Sequence, residues 1–161
     1  MVDDGAVSDG DTTASDSPDL EAIRNEWIDV EFDTRTFEME ATRFVNWAES
    51  CGETDPRFLD PQHPDFQAPP NYTTVCTSGR FLPDGFPEIG NGFGIDGGKT
   101  VECLAPIRPG DVLTGTASIA EVFDKTGRSG TMVFIVQRMS FMNQDGVPVS
   151  TVDWKTIRGV G

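Results

Sequence analysis

Four long stretches with strand composition close the chain: Lys99–Ile107, Val112–Phe123, Thr131–Met142 and Val147–Ile157. Between them lie Arg108-Pro109-Gly110-Asp111, Lys125-Thr126-Gly127-Arg128-Ser129-Gly130 and Asn143-Gln144-Asp145-Gly146. Proline presets φ and glycine accepts positive φ, so each joint is suited to reversing the chain tightly. Strands joined so closely run antiparallel, and three successive antiparallel pairings are expected. Thr131–Met142 is apolar on both sides, with Met132, Phe134 and Val136 alternating against Val133, Ile135, Met139 and Phe141. Such a strand belongs at the centre of a sheet, with a helix on one face and a partner sheet on the other.

The first half reads differently. Ser17-Pro18-Asp19 is a helix start, with a hydroxyl cap, a proline in the first turn and an acid at the positive end. Leu20, Ile23 and Trp27 then share one face of a short helix. Glu31–Glu40 alternates as a strand through Phe37 and Met39. A second helix over 41–51 carries Phe44, Trp47, Ala48 and Cys51 as a stripe, and Gly52 is its stop. From Glu53 to Gly98 the prolines at 56, 61, 64, 69, 70, 83 and 87 exclude a long straight helix. Helices and a long excursion followed by a strand meander give an α+β layout, and 161 residues suffice for one domain.

The net charge of -15 leaves no basic stripe to neutralise phosphates, which argues against nucleic acid. Residues 1–19 hold six aspartates and no base, and are expected to be a disordered acidic tail before a domain at 20–161. No apolar run is long enough to span a membrane, and the acidic start lacks a signal core, so a cytoplasmic protein is expected. Cys51, Cys76 and Cys103 are odd in number and scattered, which suits reduced thiols. With His63 as the single histidine, a metal site is not expected. Three lysines against nine arginines on an acidic chain would also suit a high-salt cytoplasm, where screening relieves self-repulsion.

A set of landmarks occurs in order: Ala48-x-x-x-Gly52, Glu53-Thr54-Asp55-Pro56-x-Phe58-x-Asp60, Ala68-Pro69-Pro70, Pro106-Ile107-Arg108-Pro109-Gly110-Asp111, Lys125-x-Gly127-Arg128-x-Gly130, and Asn143-Gln144-Asp145-Gly146. Spread over about residues 20–158, they resemble the MaoC-like hydratase/dehydratase families, specifically the FAS1-like dehydratase N-terminal domain type. The resemblance implies a hot-dog fold: a curved antiparallel sheet wrapped around a helix, with dimers joining their sheets into one layer. It also implies a lyase of fatty acid metabolism acting on an acyl thioester, reversibly adding water to a 2-enoyl group. Coenzyme A or an acyl carrier would enter as part of the substrate, with no permanently bound cofactor.

Hydration needs a base, an acid and donors for the thioester oxygen. Active members carry Gly-Asp-x-Asn-Pro-aliphatic-His, and the matching stretch here is Gly52-Glu53-Thr54-Asp55-Pro56-Arg57-Phe58. Glu53 replaces the aspartate and Phe58 the histidine, so no intact catalytic dyad is expected. His63 is a distant substitute between prolines. The oxygen-binding amides would fall near Ala68-Pro69-Pro70-Asn71-Tyr72, where Pro69 and Pro70 have no N–H. Asp55, Asn71, Tyr72, Phe81, Phe86 and Phe93 are the expected substrate-lining residues, and Arg57, Arg108 and Arg128 the modest contacts to coenzyme A phosphates. The leading expectation is an accessory hot-dog subunit that shapes the acyl tunnel for a dyad-bearing hot-dog partner. A self-sufficient homodimer using Glu53, and an acyl-thioester-binding module without turnover, are the alternatives.

Overall fold

The computed structural model describes residues 18–90, 94–128 and 130–160. In chain order the elements are α1 (Leu20–Trp27), β1 (Glu31–Glu38), α2 (Ala41–Ser50), α3 (Pro56–Leu59), a 3-10 turn (Tyr72–Val75), β2 (Gly94–Cys103), β3 (Val112–Gly127), β4 (Gly130–Met142) and β5 (Pro148–Val160). The five strands form one antiparallel sheet in the order β1-β3-β4-β5-β2. This is the expected α+β hot-dog architecture, a curved sheet wrapped around helical and irregular chain. The expected tail lies outside the described residues, apart from Pro18 and Asp19.

One side of the sheet carries the core in two clusters. Beneath α2, Phe44, Tyr72, Leu113, Ala117, Met139 and Phe141 pack together, and Tyr72 meets the Phe44 ring edge-on at 4.8 Å. Beneath α1, Ile23 packs on Ile119, Val122, Val133 and Ile135, joined by Trp27 and Phe86. Asp19 caps α1 by accepting from the Glu21 and Ala22 amides at 3.1 and 3.0 Å.

The structure departs from the sequence reading in two places. Expected strand Lys99–Ile107 is instead β2 at Gly94–Cys103, with a register shift between Asp96 and Lys99 that lets the Gly97-Gly98 stretch remain in the strand. β2 pairs with β5 and not with β3, so two of the three expected pairings form and the third does not. The Pro109-Gly110 turn serves another purpose: Gly110 N donates to Met39 O at 2.8 Å and Met39 N to Asp111 O at 2.9 Å, stitching the end of β1 to the start of β3. β4 is central, as expected. Val133, Ile135, Met139 and Phe141 are buried, while on the convex side Val136 is buried, Phe134 half-buried and Met132 37% exposed.

Gly115 faces the core where a Cβ would stand 2.8 Å from Phe141 and 2.9 Å from the Met139 methyl. Gly115→Ala is therefore expected to lower stability by about 1–3 kcal/mol through overpacking. Gly127→Ala, with open space around it, is expected to change stability by less than about 0.5 kcal/mol. Paired urea denaturation curves check both, and equal effects would contradict this packing.

Candidate functional site

The loop that follows α2 keeps its frame through backbone chemistry. Gly52 adopts φ +72°, and the Gly52 and Glu53 amides donate to Glu49 O and Ala48 O, which closes the helix. Glu53 then turns back on its own loop: one carboxylate oxygen, Oε1, accepts from Thr54 N at 2.8 Å and Asp55 N at 3.0 Å. Asp55 caps α3, accepting from Arg57 N at 2.9 Å, with Pro56 in the first turn. Its second oxygen takes the Arg57 guanidinium at 2.6 and 3.0 Å. Those contacts hold the Asp55 carboxyl below its ordinary range and raise Arg57 above its own. Asp60 closes the next turn by accepting from Gln62 N at 2.9 Å. All three acids thus serve as caps for backbone amides.

Phe58 points the other way. It is 8% exposed and lines a cavity of about 390 Å³ with Arg57, Ala68, Pro69 and Pro70 on one side and Cys103–Ile107, Val149 and Ser150 on the other. Where an oxygen-binding amide is expected, Ala68 N donates to Ile107 O at 2.9 Å and Tyr72 N to Pro69 O at 2.9 Å, while Pro69 and Pro70 have none. Asn71 is occupied as well: its Oδ1 accepts from Trp47 Nε1 at 2.9 Å, and its Nδ2 lies 3.7 Å from Cys51 Sγ. The ionisable side chains in the lining are Arg57 and Cys103. Such a cavity can hold an apolar chain next to a guanidinium; its own walls offer no acid/base pair for adding water.

The remaining residues singled out in the sequence are dispersed. His63 lies in the turn after α3, where Nδ1 accepts from Asp65 N at 3.1 Å, and it does not line the cavity. Tyr72 is buried against Phe44. Phe81 meets Trp154 edge-on at 5.1 Å, and Phe86 leans on Trp27 at 5.7 Å. Phe86 also lines a second cavity of about 310 Å³ with Leu82, Pro87, Glu88, Ile89, Ile135 and Arg158. Phe93 lies outside the described residues. Arg108 donates to Phe66 O at 3.3 Å near the first cavity, whereas Arg128 sits in the β3–β4 turn at the far end of the sheet. Among the described residues no group of three His, Cys, Asp or Glu side chains could hold a metal ion. No helix among them is long and apolar enough to cross a membrane.

Sequence reasoning missed Cys103 and Ser150 as wall residues. Ser150 is buried and hydrogen-bonded to Thr73 at 2.9 Å, and Cys103 Sγ donates to Pro70 O at 3.1 Å. Gln137, the buried polar residue of β4, donates to Ser78 Oγ at 2.7 Å and Arg80 O at 3.1 Å.

A curved five-stranded antiparallel sheet wrapped around helical and irregular chain defines a hot-dog protein. The model of the FAS1-like dehydratase domain region matches residues 26–152, and the chain belongs to that family. Its fold is similar to a MaoC-like dehydratase from Rhodospirillum rubrum (TM-score 0.57, 20% identity, covering 86% of this chain and 96% of that one). It is also similar to the ChsH1-ChsH2 complex from Mycobacterium tuberculosis (0.62, 18%, 88% and 94%). A third similar structure is the HadBC 3R-hydroxyacyl-ACP dehydratase complex from the same organism (0.61, 17%, 81% and 93%). At these identities the likeness establishes the fold. Among curated proteins no sequence matches the chain.

The three thiols give a direct check on the site. Cys51 and Cys103 are exposed, and partial burial raises the Cys103 thiol. Cys76 is 6% exposed and burial pushes its thiol up to about 11, so little thiolate forms at pH 8. With iodoacetamide at pH 8, site-resolved mass spectrometry should find Cys51 modified first, Cys103 more slowly, and Cys76 only after unfolding. Native labelling of Cys76 at the rate of Cys51 would contradict the placement of the 3-10 turn.

Proposed function

We propose that this chain is the accessory, non-catalytic half of a two-chain 2-enoyl-thioester hydratase or 3-hydroxyacyl-thioester dehydratase, and that it shapes the acyl-binding cavity. One observation carries the reading: the Glu53 carboxylate is turned into its own loop while the Phe58 ring forms cavity wall. A base and an acid held at one bond are needed for hydration, and they must then come from another chain. The amides and prolines at 68–72 support the same conclusion for the thioester oxygen.

The partner is a hot-dog subunit with an intact Asp/His dyad, docked along β2. That strand is the sheet edge beside the cavity, and its Gly94–Thr100 stretch is exposed on both faces. An exposed edge is a template for strand addition, and a second sheet continuing it would bring its own loop to this cavity. Two of the similar structures are complexes, ChsH1-ChsH2 and HadBC, which supports a paired arrangement here. The substrate is an acyl thioester of coenzyme A or of a carrier protein; Arg57 and Arg108 are the cations near the cavity that can face its phosphates. The setting is cytoplasmic.

The test uses crotonyl coenzyme A and a dyad-bearing hot-dog partner. The chain alone is expected to give no hydration above background, and the co-purified pair to be active. Glu53→Gln in the pair should leave kcat within about twofold, whereas loss of the partner's histidine should reduce it by at least about a hundredfold. Turnover by the chain alone, abolished by Glu53→Gln, would assign catalysis to Glu53 and end the accessory reading.

A further inference from the structure

The convex face of the sheet carries an unbroken apolar row across four strands. The register pairs Phe123 of β3 with Phe134 of β4, Phe134 with Ile157 of β5, and Ile157 with Ile95 of β2. Paired residues share a face, so these four side chains stand side by side over about 14 Å of sheet. The two phenylalanine rings are stacked, with centroids 4.8 Å apart and planes within 2°. Both are half-buried at most, Ile157 is half-buried and Ile95 is 56% exposed. The apolar residues of α1 and α2 go into the two concave clusters, so neither helix serves this row.

The flanking rows decide what fits it. On one side lie Lys125, Met132 and Gly159; on the other lie Glu121, Val136 and Lys155, again in register on β3, β4 and β5. A two-fold axis running along the apolar row turns a second copy face down and reverses its strands. Each position two residues to one side then meets the position two residues to the other side on the same strand. Lys125 therefore faces Glu121 of the second copy, Met132 lies over the position of the buried Val136, and the open surface at Gly159 receives the Lys155 stem. On β3, β4 and β5 each opposed pair is opposite in charge, apolar on apolar, or long on small, and each occurs twice. A one-strand shift or a parallel arrangement loses the charge match.

We infer that the convex face is an isologous interface that takes a second copy of this chain, centred on Phe123, Phe134 and Ile157. Sheets packed face to face keep their strands within about 30°, and the twist accommodates the same row-on-row contact. The Lys125 ammonium lies 5.3 Å from the Phe134 ring centre and 5.7 Å from that of Phe123, which places it at the row's rim ready to reach across. The free edge of β2 points away from this surface. The inference therefore holds or fails independently of the dyad-bearing partner.

Sedimentation equilibrium of the full chain tests it, with charge reversals at exposed positions that leave the fold unchanged by circular dichroism. The wild type should sediment at twice the chain mass of 17.5 kDa. Glu121→Lys or Lys125→Glu alone should raise the dimer dissociation constant at least about tenfold, because each creates two like-charge contacts. The double reversal should restore it to within about threefold. A single-chain mass at all concentrations would overturn the inference. So would an assembly indifferent to all three variants, as one held by the β2 edge would be, or a double variant as weak as the singles.

Discussion

The apolar concave face of the sheet has to be covered, and the chain has little helix with which to cover it. β3 runs for 16 residues and so spans about 50 Å, while α2 has 10 residues and spans about 15 Å. α2, through Phe44, seals the end of the sheet that holds Leu113 and Phe141, and α1 contributes Ile23 at the other end. Everything between falls to the irregular chain of 53–90, in which seven prolines prevent a long helix. Irregular chain packs less evenly than a helix, and the two cavities lie beneath it, one at Phe58 and one at Phe86. The shape of these cavities thus follows from a shortage of helical cover.

That same shortage explains why the altered loop keeps its form. From the end of α2 to the turn after α3 the backbone amides of Thr54, Asp55, Arg57 and Gln62 need acceptors, and Glu53, Asp55 and Asp60 supply them locally. With one oxygen accepting two amides, the Glu53 carboxylate is held in one orientation within the loop. Replacing histidine with Phe58 adds apolar wall instead of a proton carrier. The frame of the loop is local hydrogen bonding.

Much of this was legible beforehand, and the limits were physical. Alternation in Thr131–Met142 announced the central strand, and Gly52 the end of α2, because both follow from local period and local φ. Pairing of β2 with β5 was not legible, since turn residues at 108–111 show only that the chain bends, not which edge it reaches. The Gly110–Met39 contact that uses this turn joins residues far apart in sequence. Glu53 and Phe58 were marked as altered positions from the motif alone. The direction in which Oε1 points depends on amides freed by the helix end and could not be read from residue type. The convex row was visible only in part: Met132, Phe134 and Val136 stood out, but their alignment with Phe123, Ile157 and Ile95 is set by register across three strand pairs.

In the proposed reading, the free edge at β2 takes the chain that carries the proton transfers, and the apolar outer row takes a second copy. The most direct measurement is a continuous-variation titration with a dyad-bearing hot-dog subunit, at fixed total subunit concentration, following hydration of a crotonyl thioester. The account predicts a rate that peaks at equal mole fractions and falls to background when only this chain is present. A rate that climbs steadily toward the pure chain would contradict it.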